Sequence, residues 1–186
     1  DLLCNVQGSL GGSAQIEYTP STQYDNADDN GKQCLPFPVY TVSKVTLNDG
    51  LGSTSETEYG YEGGFYDPVA KEFRGFHRSE IVSASGETDV TKKTVAYYHQ
   101  GGGYDDSGNG EYLDASAKTG MPYRTEVWGL NDAGTAYLLY TLTLNKVEAV
   151  EVESDTGWYF PYVSQTIALD YEGAADDTGD YRAKAS

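Results

Sequence analysis

Tyr59-Gly-Tyr-Glu-Gly-Gly-Phe-Tyr-Asp-Pro-Val-Ala-Lys-Glu-Phe-Arg-Gly-Phe-His-Arg-Ser-Glu-Ile-Val82 is the stretch whose reading decides the fold. It reads as a β-hairpin: an aromatic arm (Tyr59, Tyr61, Phe65, Tyr66) meets a second arm (Phe73, Phe76, Ile81, Val82) across a tight connection. Asp67-Pro68 supplies the turn, because Asp suits its first position and Pro presets φ at the second. Aromatic and β-branched side chains fit the pleated surface, where cross-strand pairs carry much of the stabilisation. Gly63-Gly64 and Gly75 interrupt the alternation, as glycines do at bulges and close backbone approaches. A bulge at Gly75 would turn Phe73 and Phe76 to one side. Glu72, Arg74, Arg78 and Glu80 recur at two-residue spacing, which places all four on one face. They read as a cross-strand charge ladder on a solvated face rather than as a catalytic cluster.

Outward from the hairpin the pattern stays β. Ala14, Ile16 and Tyr18 alternate with Gln15 and Glu17. Further strands are expected over Leu2–Gln7, Phe37–Leu47, Val90–His99, Tyr123–Leu130 and Val163–Tyr171. Leu138, Tyr140, Leu142 and Leu144 alternate with Leu139, Thr141, Thr143 and Asn145, and the phase slips near Ala149-Val150. Glu111–Lys118 is the one short helix expected, stopped by Gly120 and Pro122. The fold class is therefore all-β, an extended antiparallel sheet of hairpins in a meander. Residues 1–173 read as one β-rich segment and 174–186 as a tail or the start of a further repeat.

The chain has 186 residues, 22 Gly and 17 Tyr, and a formal charge of −17. That sign argues against nucleic acid, whose affinity comes largely from Lys and Arg on phosphates, and against an anionic membrane surface. No run approaches the roughly 18 apolar residues of a membrane span. The first residues already read as a strand, so the chain is expected to be an excised piece of something larger.

The hairpin motif resembles the Tyr-x-Gly-x-Tyr-Tyr-Asp…Glu-Phe-Arg-Gly-Phe segment of the B component of bacterial insecticidal toxin (Tc) complexes and of related Rhs (YD-repeat) toxins. "DLLCNVQGSLGGSAQIEYTPSTQY" is similar to that family's opening, "CLPFPVYTVSKV" to its Leu-Pro-Phe-Pro-Val segment, and "TGMPYRTEVWG" to its Gly-x-Pro-x-Arg-x-Glu-Val-Tyr element. The four motifs stand in the family's order and cover most of residues 1–170. The resemblance implies the region after a β-propeller, at the start of a hollow Rhs shell. Such a shell encloses a toxic effector, in company with a C-type Rhs partner and an A-type translocation component, in a secreted assembly in which this segment does no chemistry itself. The alternative reading is a carbohydrate-binding or adhesin-like β-domain that stacks sugars on Trp128, Trp158 and surface tyrosines.

Candidate chemistry is sparse. Asp105-x-Ser107-x-Asn109-Gly110, with Asp114 nearby, matches the front half of a calcium loop but lacks its closing Glu. Asn26-x-Asp28-x-Asn30-Gly31 is a weaker version of it. Cys4 and Cys34 match no zinc pattern; they could close one disulfide, which for such a loop would contribute on the order of 3.5 kcal/mol. Ser53-Thr54-Ser55 with Glu151 and Glu153 has the look of ADP-ribosyltransferase elements, yet the arginine expected upstream is missing. His77 and His99 sit in no nucleophile or metal motif, and no catalytic residue or resident cofactor is expected.

Overall fold

The computed structural model describes residues 1–27, 31–85, 91–102, 106–154 and 157–185. Ten strands form one antiparallel sheet in strict chain order: β1 Asn5–Gln7, β2 Ser13–Pro20, β3 Tyr40–Asn48, β4 Thr54–Asp67, β5 Glu72–Ser85, β6 Thr91–Tyr98, β7 Pro122–Leu130, β8 Tyr137–Glu151, β9 Tyr159–Ala174 and β10 Tyr181–Ala185. The sheet is a meander with β1 and β10 at its edges. The expected all-β class is what the chain adopts. The expected helix over 111–118 shrinks to one 3-10 turn, Ser116–Lys118, because Leu113 takes a positive φ of 45° that no α-helix tolerates. The other 3-10 turns among the described residues are Ser21–Gln23 and Ser107–Asn109. No helix among them is long and apolar enough to cross a membrane. Within the stretch expected as a tail or a new repeat, Tyr181–Ala185 pairs with β9 as the tenth strand.

The β4–β5 hairpin is built as its residues dictate. The Asp67 carboxylate accepts from the Val69 and Ala70 amides and holds the turn. Gly64 pairs with Phe76 and Tyr66 with Phe73, so one extra residue is accommodated at Gly75, whose φ is +85°. The bulge puts the Phe73 and Phe76 rings edge to face, 5.6 Å apart, and Tyr61 and Tyr24 complete the cluster. That same extra residue corrects the charge-ladder expectation. Arg74 pairs with Asp67 and Glu72 on one face, whereas Arg78 pairs with Glu62 and Glu80 on the other.

A second phase change reshapes β8. The register shifts between Leu139 and Thr141, so Leu139 and Leu142 point the same way and pack with Tyr171. Trp128, Leu144, Leu169 and Ala174 surround them. The single alternation expected over 138–145 therefore does not hold, and Tyr140 is turned outward. Each Leu fully buried here contributes about 1.5–3 kcal/mol. Beside this core lies a polar one: Arg124 Nε donates to Glu126 at 2.6 Å, the Trp128 indole donates to the same carboxylate at 2.9 Å, and Asp177 takes the outer end of Arg124.

Two contrasts test these assignments in chemical denaturation. Gly75→Ala should cost about 1–2 kcal/mol, the strain of a left-handed residue with open space around its Cβ. Gly63→Ala should cost more, because φ is also positive and the new methyl would stand 2.7 Å from the His77 Cβ. Glu126→Ala removes the 2.6 Å partner of a buried guanidinium, leaving only Asp177 at its outer end, and should cost about 3–5 kcal/mol. Glu172→Ala breaks only the exposed pair with Arg182 and should cost less than about 1 kcal/mol.

Candidate functional site

The site grows from a mismatch of strand lengths. Only 54–58 of β4 pair with β3, and only 78–84 of β5 pair with β6. The outer part of the hairpin, residues 59–77, thus projects with an edge unmatched on each side. Exposed N–H and C=O rows invite wrong partners and must be met or covered. The 21–39 loop covers the β4 edge: the Gly63 amide donates to Asp25 O (2.8 Å), Tyr66 to Cys34 O (2.9 Å) and Gly64 to the buried Asn26 side chain (2.8 Å). The 99–121 connection covers the β5 edge. Buried Gln100 donates through Nε2 to both Gly63 O (2.7 Å) and Gly75 O (3.0 Å), stitching the glycine pair to the bulge. Arg74 reaches Thr119 from below.

Two histidine constellations hold that connection in place. In the first, His77 Nε2 lies 3.1 Å from Asp106 Oδ2 and the fully buried Tyr123 donates its hydroxyl to the same oxygen. Burial, reinforced by the Asp106 contact, pushes the Tyr123 phenol far above its ordinary range. In the second, His99 Nδ1 stands 2.8 Å from Glu111 Oε1 and 3.3 Å from Asp114 Oδ1. Burial opposes charge on His99, but the two carboxylates outweigh it and raise its pKa. Asp114 is also half-buried, yet His99 and the Gly102 and Gly101 amides keep its carboxyl below the usual range. The His99 and Tyr123 rings meet at a tilt of 55° with centroids 5.2 Å apart, and the Asp106 amide donates to Glu111, so the two constellations share a boundary.

The chemistry this supports is positional. Two grooves, of about 760 and 650 Å³, lie elsewhere: one beside Trp128, Asn131 and Tyr140, the other between Tyr112, Lys118, Tyr159 and Tyr162. Neither is lined by His77, His99 or Gln100.

The residues singled out in the sequence are dispersed. Of the calcium set, Asp105 lies outside the described residues; Ser107 and Asn109 form a 3-10 turn in which Asn109 donates to Asp106. Asp114 faces His99, its two oxygens accepting from Gly101 and Gly102. Asp28 and Asn30 of the weaker loop also lie outside the described residues, and Asn26 serves Gly64 instead. Cys4 is exposed and Cys34 half-buried, the two are not bonded to one another, and Cys34 sits in the loop that covers the β4 edge. By register, Ser53–Ser55 and Glu151 stand at opposite ends of the sheet, too far apart to cooperate. Trp128 is engaged by Glu126 and by the Lys93 ammonium over its ring, while Trp158 is 70% exposed. Gln100, Asp106, Glu111 and Tyr123 were not singled out. The one sequence signal for them is a His-Gln pair directly before a glycine run, at the end of a strand.

The model of the family described as the insecticide toxin TcdB middle/N-terminal region matches residues 1–104. The chain belongs to that family. The matched part contains the hairpin, His77, His99 and Gln100, whereas Glu111, Asp114 and Tyr123 follow it. No curated protein matches. Among solved structures, TcdB2-TccC3 without its hypervariable C-terminal region aligns with a TM-score of 0.79 at 19% identity, over 98% of this chain and 11% of that one. The Photorhabdus luminescens Tc holotoxin pore aligns with a TM-score of 0.78 at 20% identity, over 99% of this chain and 11% of that one. The fold of this TcdB middle region is thus shared with chains of which it spans about a tenth.

Replacing Tyr123 by Phe should remove a buried hydroxyl from the half-buried Asp106 carboxylate and cost about 1–3 kcal/mol. Hydrogen exchange should speed up first in 106–121, while β8 and β9 keep their protection.

Proposed function

We propose that this chain is a structural segment of a secreted Tc-type toxin, a stretch of β-wall in a shell that encloses a toxic effector. It carries out no chemistry itself. Its partners are the remainder of the same polypeptide, a C-type Rhs partner with the enclosed effector, and an A-type translocation component. The observation that carries this reading is the architecture: ten strands in chain order form one open sheet whose outer strands can continue into neighbouring ribbons. Each of its faces is covered only in part. Membership of the TcdB middle-region family supports the reading, as do the alignments along nearly the whole chain with Tc toxin structures.

A second reading is favoured by one observation. Trp158, Tyr159 and Phe160 are 70%, 52% and 61% exposed at the β8–β9 turn, where a sugar could stack. Glycan binding abolished by Trp158→Ala would favour it over the wall.

A wall has an inside and an outside. Glu58 pairs with Val82, so Glu58 and its neighbour across the strand, Ile81, project from opposite faces. With Cys4 and Cys34 replaced by Ser, single thiols at Glu58→Cys and Ile81→Cys in the assembled full-length toxin should react very unequally with a bulky maleimide. Equal and rapid reaction at both sites would contradict an enclosing role.

A further inference from the structure

We propose that His99, Glu111 and Asp114 form a binding site for a divalent transition metal of the zinc class. Each offers one ligand atom, and the three atoms lie within 4.8 Å of one another. Zinc binds nitrogen and oxygen at about 2.0–2.2 Å, which places tetrahedral ligands roughly 3.3 Å apart. The separations from Nδ1 are 2.8 and 3.3 Å, one short of that spacing and one at it, so small side-chain adjustments would seat an ion.

Burial separates this cluster from an ordinary acidic surface. The side chains are 0%, 2% and 9% exposed for His99, Glu111 and Asp114. Both ring nitrogens of His99 are buried without a hydrogen-bond partner, although Glu111 Oε1 is only 2.8 Å away. That oxygen lies off the direction in which a ring N–H donates, so the contact has the distance of a ligand pair and not the alignment of a hydrogen bond. An ion seated there would displace the Nδ1 proton, on a nitrogen that lies within 3.3 Å of both carboxylates.

The carboxylates are themselves pre-oriented. Asp114 accepts from the Gly101 amide through Oδ1 and from the Gly102 amide through Oδ2, and Glu111 Oε2 accepts from the Asp106 amide; Glu111 Oε1 and Asp114 Oδ1 are the oxygens that face His99. Backbone donors behind ligating carboxylates are what fixes a metal shell. Once the metal has displaced the imidazole proton, the neutral ring with two carboxylates carries the charge a dication balances. The nearest ammonium, Lys118, is already held by the Tyr112 and Leu113 carbonyls. One imidazole nitrogen among the donors selects zinc-like ions over calcium, which takes six to eight oxygens. Bound there, the ion would staple the 99–121 connection to the end of β6 and fix Gln100 against the bulge.

The test uses the natural full-length polypeptide, stripped with a chelator and dialysed against Zn²⁺. Wild type should retain one equivalent more than Glu111→Gln or Asp114→Asn, both near-isosteric changes at the same backbone donors. Co²⁺ in place of Zn²⁺ should give visible ligand-field absorption that these variants lose, and that millimolar Ca²⁺ does not displace. His99→Ala should behave likewise if it folds; the two carboxylate variants carry the test if it does not. Equal zinc content in folded wild type and variants would overturn the site, as would a wild type that takes up no zinc after stripping.

Discussion

Residues 59–77 form a ribbon that outruns both of its neighbours, and the backbone groups along its two free margins must find partners. That requirement organises the molecule. A two-stranded ribbon alone is marginal in water, and a long bare edge is a template for mispairing. Here the margins are met by loops, through Asp25, Asn26 and Cys34 on one side and Gln100 on the other. The glycines make this possible. Gly63 brings the ribbon against His77, and Gly75 turns a carbonyl to where one amide group can serve both positions.

The rest of the sheet shows the same economy of burial. A single layer has no second sheet to press against, so the buried apolar residues are few: Leu139, Leu142 and Tyr171 form a small cluster on β8 and β9, Leu35, Val95, Tyr123 and Val147 lie elsewhere, and polar networks fill much of the remaining interior. Arg124, Glu126 and Trp128 satisfy one another on one face. His77, Asp106 and Tyr123 do so at the covered end of the ribbon, beside the cluster of His99, Glu111 and Asp114. Buried networks of this kind fix geometry strictly, because any unpaired member is costly. Rigidity of that sort lets a thin sheet keep its shape.

Local chemistry was legible in the sequence and tertiary convergence was not. Asp67-Pro68 announced its turn and Gly75 its bulge, because a residue that needs a special φ can be recognised alone. The alternation over 13–19 placed Ala14, Ile16 and Tyr18 correctly, as their burial shows. The same bulge split Arg74 from Arg78, and a period-2 count carried through a glycine could not follow the change of face. Glu111–Lys118 had helical composition, but Glu111 and Asp114 are drawn inward to His99, a partner twelve or more residues away that no local pattern reveals. Tyr181–Ala185 is short and half charged, and only its pairing with β9 identifies it as a strand. Gln100 escaped notice for a plain reason: a lone glutamine after a strand gives no sign that two glycine carbonyls await it.

The most direct test of this account is residue-resolved hydrogen exchange on Gln100→Leu, which keeps the bulk of the side chain and removes its donors. If the ribbon depends on that amide, protection should fall together across 59–78 and 99–121, while the β7–β9 body remains as slow as in wild type. Unchanged exchange in the ribbon would contradict the central claim, and so would a loss spread evenly over all ten strands.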